Sequence, residues 1–130
     1  MPSLYIAQRE FGWLSHEAMR VVAKTLNLPE AEVRGTASFY AMFRHKPVGR
    51  NLIQLCTNVS CMILGSEALV DLLNKKYGVE PDGTSRDGRF SLVIMECIGA
   101  CGMGPAMLVN TDFYDNLTEL RIEEILERYK

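Results

Sequence analysis

Reactive side chains are scarce in this 130-residue chain, which has four cysteines, two histidines and one tryptophan. No apolar run approaches the roughly 20 residues that span a bilayer. The first residues, MPSLYIAQREFGW, lack the charged-then-apolar build of a secretion signal and the Arg/Ser-rich, acid-poor build of a transit peptide. There is no internal repeat and no low-complexity tract. No G-x-G-x-x-G follows a strand-like run, so nothing here reads as a dinucleotide site. C-x-x-C is also absent, which argues against a dithiol redox centre. A net charge of -2 gives no support for nucleic-acid binding, which calls for a basic face. What remains is one domain, or one domain with a small appendage, expected in a reducing intracellular compartment. Hydrophobic and charged fractions of 48% and 23% are ordinary and suffice for a core.

The four cysteines fall into two pairs. Cys56 and Cys61 bracket CTNVSC, a C-x4-C; after 35 residues, Cys97 and Cys101 bracket CIGAC, a C-x3-C. An apolar run precedes each pair, LIQLC and FSLVIMEC, so two strands feeding two loops at one end of a sheet would gather four sulfurs. Glycines 99, 102 and 104 in the second loop allow positive φ and let backbone N–H groups approach closely. Hydrogen bonds to metal-bound sulfur tune its redox potential. Val59, Met62, Ile98 and Met103 are expected to form an apolar, water-excluding surround. Spacing leaves three chemistries open. Iron–sulfur fits best; a structural zinc site fits C-x3-C, with C-x4-C at its limit; two disulfides satisfy parity alone.

Residues 1–46 read as helical. Leu4, Ala7 and Phe11 share a face and Gly12 ends it. Ser15 caps a second helix with Met19, Val22 and Leu26 on one stripe. Pro29 suits the first position of a third, with Glu30 and Glu32 in its first turn. Gly35 is a candidate interruption before TASFYAMF. The turn-rich Lys46-Pro47-Val48-Gly49 marks the boundary, giving a helical region 1–46 and a second domain 47–130. In that domain strands are expected at 51–57, 89–96 and 106–110, with a fourth beginning at Phe113-Tyr114. One helix is expected over 60–77, with Leu64, Ala68, Leu72 and Leu73 inward and Gly78 as C′ residue. A closing helix capped by Thr118 should bury Leu120, Ile122, Ile125 and Leu126. The continuous LVIM predicts burial on both faces of its strand. The order is a thioredoxin-like α/β arrangement: a small mixed sheet flanked by helices. Its first strand–helix–strand unit should be parallel and right-handed. Both cysteine pairs then follow strands at one end of the sheet, and Cys61 should open a helix, where the positive dipole end favours a thiolate.

CTNVSC followed by a helix, then ECIGACGMGPAMLVN, closely resembles the thioredoxin-like [2Fe-2S] ferredoxin subunit of respiratory complex I, NADH–quinone oxidoreductase. The likeness extends to FGWLS, to LP-x-AEV-x-x-TASFYAMF, to KPVGRNLIQLC and to the closing helix. It implies cluster ligands at Cys56, Cys61, Cys97 and Cys101. It also implies a one-electron carrier docked on a flavoprotein subunit that binds FMN and oxidises NADH, at the inner membrane but not inserted in it. Relatives serve in NAD-linked formate dehydrogenases and hydrogenases. The family's longer N-terminal extension implies a short or missing first helix here. Pro105 becomes a candidate for a cis bond.

Other residues carry plainer readings. His16 and His45 could ligate iron as in Rieske centres, but beside four paired cysteines they are expected to be solvated. Phe39, Tyr40 and Phe43 are expected to pack the helical region onto the sheet, with docking as the alternative. Arg44, Lys46 and Arg50 read equally well as a solvated turn or as steering for an acidic partner. Methionines 62, 95, 103 and 107 are expected to be gap-fillers.

Overall fold

A computed structural model describes residues 1–129 of the chain. Two compact units emerge, Met1–Val48 and Gly49–Lys130.

The first unit is three helices. α1 (Pro2–Phe11) spans ten residues, so the first helix is present and short. It stops at Gly12, whose φ of 79° suits glycine. α2 (His16–Leu26) starts where the Ser15 hydroxyl accepts the Ala18 N–H at 3.1 Å and ends on left-handed Asn27. α3 (Glu30–Phe39) follows Pro29, with its acids at the positive dipole end. Gly35 does not interrupt it; the expected separate piece TASFYAMF is the last turn of α3 followed by a non-helical turn. Leu4, Ala7, Leu14, Met19, Val22, Ala23, Val33, Ala37 and Phe43 form the core of this unit. The Gln8 amide fastens the turn after α3: its nitrogen donates to the Met42 carbonyl and its oxygen accepts the Arg44 N–H.

The second unit is a four-stranded mixed sheet in the order β2-β1-β3-β4. β1 (Asn51–Cys56) and β2 (Phe90–Met95) run parallel. β3 (Met107–Val109) and β4 (Asp112–Tyr114) follow antiparallel. The span expected as one helix is two: α4 (Val59–Ile63) and α5 (Ser66–Tyr77), separated at Gly65, whose φ is 95°. α6 (Glu119–Leu126) closes the unit under a Thr118 cap. Strand periodicity puts Ile53 and Leu55, Phe90 and Leu92, and Met107 and Val109 on one face. There they meet Leu69 and Leu73 of α5 and Ile122, Ile125 and Leu126 of α6 in one core. Each such aliphatic side chain contributes about 1.5–3 kcal/mol by leaving water.

Several burial expectations are corrected, Leu64 and Ala68 among them, since both are exposed where the stripe had them inward. LVIM is not buried on both faces. β2 is an outer strand of this sheet, so Leu92 is buried while Val93, Ile94 and Met95 are half-buried. Leu120 is 75% exposed, since it lies two residues before Ile122 and points to the opposite side of α6.

Candidate metal centre

Parallel pairing decides where the cysteines go. Cys56 is the last residue of β1 and faces Met95, the last of β2, so the two following loops leave the sheet at the same end. The Cys56 N–H donates to the Ala106 carbonyl at 3.1 Å, and its thiol donates to the Glu96 carbonyl at 3.6 Å, tying the first loop to the second. Asn58 then caps α4 by accepting the Val59 N–H at 2.7 Å.

No disulfide joins the four cysteines, which are grouped as two pairs. Cys56 and Cys61 are both buried. Burial pushes the Cys61 thiol above its ordinary value, its neighbour Cys56 adds to the rise, and a backbone hydrogen bond from Ala106 opposes it. Cys61 is the third residue of α4 rather than its opener, and dipole stabilisation of a thiolate is outweighed there by desolvation. Cys97 and Cys101 are exposed, with sulfurs 3.9 Å apart. That is far beyond a disulfide and close to the ~3.8 Å edge of a tetrahedron with thiolate bonds of about 2.3 Å. The Cys101 thiol is also raised, chiefly by its bond to Cys97. Gly99, at φ 79°, turns its N–H onto the Cys97 sulfur at 3.3 Å. A 3₁₀ turn, Cys101–Met103, and a cis Gly104–Pro105 peptide complete the second loop.

Among the described residues, no three His, Cys, Asp or Glu groups are gathered for a single ion. A two-iron cluster with two thiolates on each iron calls instead for two pairs, and two pairs are what these loops supply. His16 and His45 lie in the helical unit. Both are exposed, as expected, and His45 Nε2 also sits 3.1 Å from the Ala37 carbonyl oxygen.

Comparison with known proteins gives the family. The chain matches the family described as thioredoxin-like [2Fe-2S] ferredoxin over residues 1–130. It belongs to that family. Membership implies a [2Fe-2S] cluster as cofactor. The E 2 subunit of NADH-quinone oxidoreductase from Rhizobium meliloti is 42% identical over all of this chain and 77% of the relative. The E subunit of the Escherichia coli K12 enzyme is 39% identical over 98% of the chain and 77% of the relative. Among solved structures, an NAD+-reducing [NiFe]-hydrogenase in its H2-reduced state superposes with a TM-score of 0.80 at 26% identity. That match covers 97% of this chain but only 22% of the hydrogenase chain. A thioredoxin-like [2Fe-2S] ferredoxin from Aquifex aeolicus, 20% identical, shares the fold over 63% of this chain and 81% of its own, with a TM-score of 0.51.

In this ferredoxin the expected apolar surround is corrected. Val59, Met62 and Met103 are 58%, 44% and 47% exposed, so they form an outward collar around the loops instead of a seal. Ile98 is half-buried. Of the methionines expected as gap-fillers, Met107 is fully buried and Met95 half-buried, while Met62 and Met103 stand in the collar. Near the thiols, Ser60 carries no expectation from sequence, and Gly104 is expected only as a loop glycine free to take positive φ, whereas its φ is -71°. Beside Cys101, the Ser60 side chain opposes part of the rise that Cys97 causes. Gly104 lies so close to Cys61 that a Cβ there would stand 3.1 Å from the Cys61 sulfur. Its place in a glycine-rich loop is a signal in the sequence; its partner is not.

Proposed function

We propose that this chain is a one-electron carrier whose [2Fe-2S] cluster is held by Cys56, Cys61, Cys97 and Cys101. In this reading it is a subunit of an NADH-quinone oxidoreductase and accepts an electron from FMN on a partner flavoprotein subunit. The observation that supports the ligand set most directly is the pairing of the four thiols at the ends of two parallel strands. Curated relatives at 37–42% identity, all of them E subunits of that enzyme, support the host. When bound, the cluster supplies one-electron oxidation and reduction. The buried Cys56 and Cys61 and the exposed Cys97 and Cys101 would hold it. The Gly99 N–H and Ser60 hydroxyl stabilise negative charge on sulfur. All-sulfur ligation predicts a low potential. In this reading NADH and FMN are bound by the partner subunit. The helical region 1–46 is the appendage and residues 47–130 the ferredoxin domain. In this reading the chain lies on the cytoplasmic side of the inner membrane, peripherally; among the described residues no helix is long and apolar enough to cross that membrane.

A second host is favoured by one finding, the hydrogenase superposition: the same module could serve an NAD-linked hydrogenase or formate dehydrogenase. The rival of another class is a zinc-stabilised adaptor. Anaerobic purification tests the cluster. The expected product is red-brown, contains iron and acid-labile sulfide in equal amounts, and gives an electron-paramagnetic signal on dithionite reduction. Colourless, zinc-loaded protein would overturn the reading. Affinity capture from the native host then tests the partner: an FMN-containing, NADH-oxidising subunit should come with it.

A further inference from the structure

The helical unit carries an aromatic projection that its own core does not use. Phe39, the last residue of α3, is 80% exposed, and Tyr40 packs edge-on against it at 5.0 Å. Met42 is 41% exposed in the same turn. Phe43, by contrast, is buried against Tyr5. The turn is not loose, because the Gln8 amide holds it at Met42 and Arg44 and the Leu14 N–H donates to the Arg44 carbonyl at 2.7 Å. A rigidly presented aromatic loses little entropy on being covered, which is what interface anchors share.

The surroundings are cationic. From Val33 to Val48 there is no Asp or Glu, against Arg34, Arg44 and Lys46. None of these three is in an ion pair among the described residues. A cleft of about 230 Å³ opens at Ser38, the neighbour of Phe39; its titratable lining groups are Arg34, His16 and His45, with Trp13 alongside. The half-buried Arg44 guanidinium has an Nε that finds no acceptor among the described residues. An aromatic knob beside a cleft that Arg34 lines and no acid does, in a stretch with further cations at Arg44 and Lys46, fits a partner with an apolar pocket edged by carboxylates.

We infer that Phe39, Tyr40 and Met42, with Arg34 and Lys46 beside them, form a docking surface for an acidic-rimmed apolar pocket on the flavoprotein subunit. The inference rests on the partner reading under Proposed function and is separate from cluster ligation. The occupant is chosen by charge complementarity.

The test measures binding of the purified flavoprotein subunit to full-length, cluster-loaded chain. Phe39→Ala should weaken binding about 30-fold, which is about 2 kcal/mol at 1.4 kcal/mol per tenfold. Arg34→Glu with Lys46→Glu should slow association about tenfold and flatten its dependence on salt. Leu120→Ala, an equally exposed site on α6, should change nothing. All these side chains are exposed, and circular dichroism with iron content confirms that each variant folds and loads. Equal affinity for wild type and Phe39→Ala overturns the surface while leaving the partner reading intact. Faster association of the charge-reversed variant also overturns it. If wild type itself does not bind the flavoprotein, the partner reading fails and the surface loses its occupant. A wild-type dimer abolished by Phe39→Ala assigns the surface to self-association and overturns the proposal.

Discussion

Adding one methyl group at Gly104 tests the construction of the metal centre more sharply than deleting a cysteine. An ideal Cβ at this position stands 3.1 Å from the Cys61 sulfur, 3.2 Å from Leu64 Cδ1 and 3.7 Å from Cys61 Cα. Gly104 has φ -71° and ψ 165°, a conformation open to every residue, so Gly104→Ala introduces no backbone strain. Removing a glycine from the unfolded chain contributes about 0.4–1 kcal/mol of stability. Against this, overpacking costs about 1–3 kcal/mol where neighbours cannot yield. Leu64 can yield, being 55% exposed with only its tip in contact. Cys61 cannot, being 2% exposed within α4. Steric cost therefore wins, and the metal-free variant should lose about 1 kcal/mol in urea unfolding. More decisively, the Cys61 sulfur must shift by a few tenths of an ångström, so cluster content and the electron-paramagnetic line shape should change. Adding Leu64→Ala removes the contact that was already soft, so the spectral change should persist in the double variant. Gly102→Ala is the control: no atom lies within 4 Å of its Cβ, and spectrum and stability should stay as in wild type. A Gly104→Ala variant with wild-type spectrum and unfolding midpoint would refute the claim that the second loop is seated on Cys61.

Cys97→Ser should weaken or abolish cluster binding and loosen the second loop; unchanged visible absorbance and stability would remove Cys97 from the ligand set. Arg89→Met deletes the donors from Nε to the Tyr129 carbonyl at 2.8 Å and from Nη2 to the Leu126 carbonyl at 3.0 Å. With a cation lost from the negative end of α6, about 2 kcal/mol of stability should go, read by urea unfolding. Thr118→Ala removes the acceptor of the Arg121 N–H and should cost about 1 kcal/mol in the same assay. The Ser85 hydroxyl, and next the Arg89 N–H, hold the Asp87 carboxyl below its ordinary 3.8. A depressed acid stabilises the fold above 3.8 and loses that contribution as pH falls through its lowered folded value. Asp87→Asn should therefore flatten the acid end of the stability–pH curve, measured by thermal unfolding from neutral to acid pH.

How much of the molecule is legible in the chain depends on the range of the interaction concerned. Ser15, Gly78 and Thr118 announce helix ends because a cap is satisfied within a few residues of itself. The thiol pairs are equally local, and their spacing points to a shared centre without any geometry. Gly65 shows the limit: at φ 95° it splits the expected helix, resets the phase of the stripe and turns Leu64 outward. A glycine inside a helical pattern is a visible warning, but local propensity does not say whether the helix tolerates it, as α3 does at Gly35. LVIM misleads for a different reason. A run of apolar residues says that a strand is covered, and only the strand order reveals that β2 has one strand beside it in this sheet. Val59, Met62 and Met103 carry this furthest. Their hydrophobicity asks for cover, and composition cannot tell whether the cover comes from the same chain or another. Left exposed around paired thiols, these side chains are where a subunit reading and a free-carrier reading part. A permanent subunit hides such a collar, whereas a diffusing carrier would present it to water. Isolated chain should accordingly bind hydrophobic dyes at this collar, and docking of its partner should remove the signal.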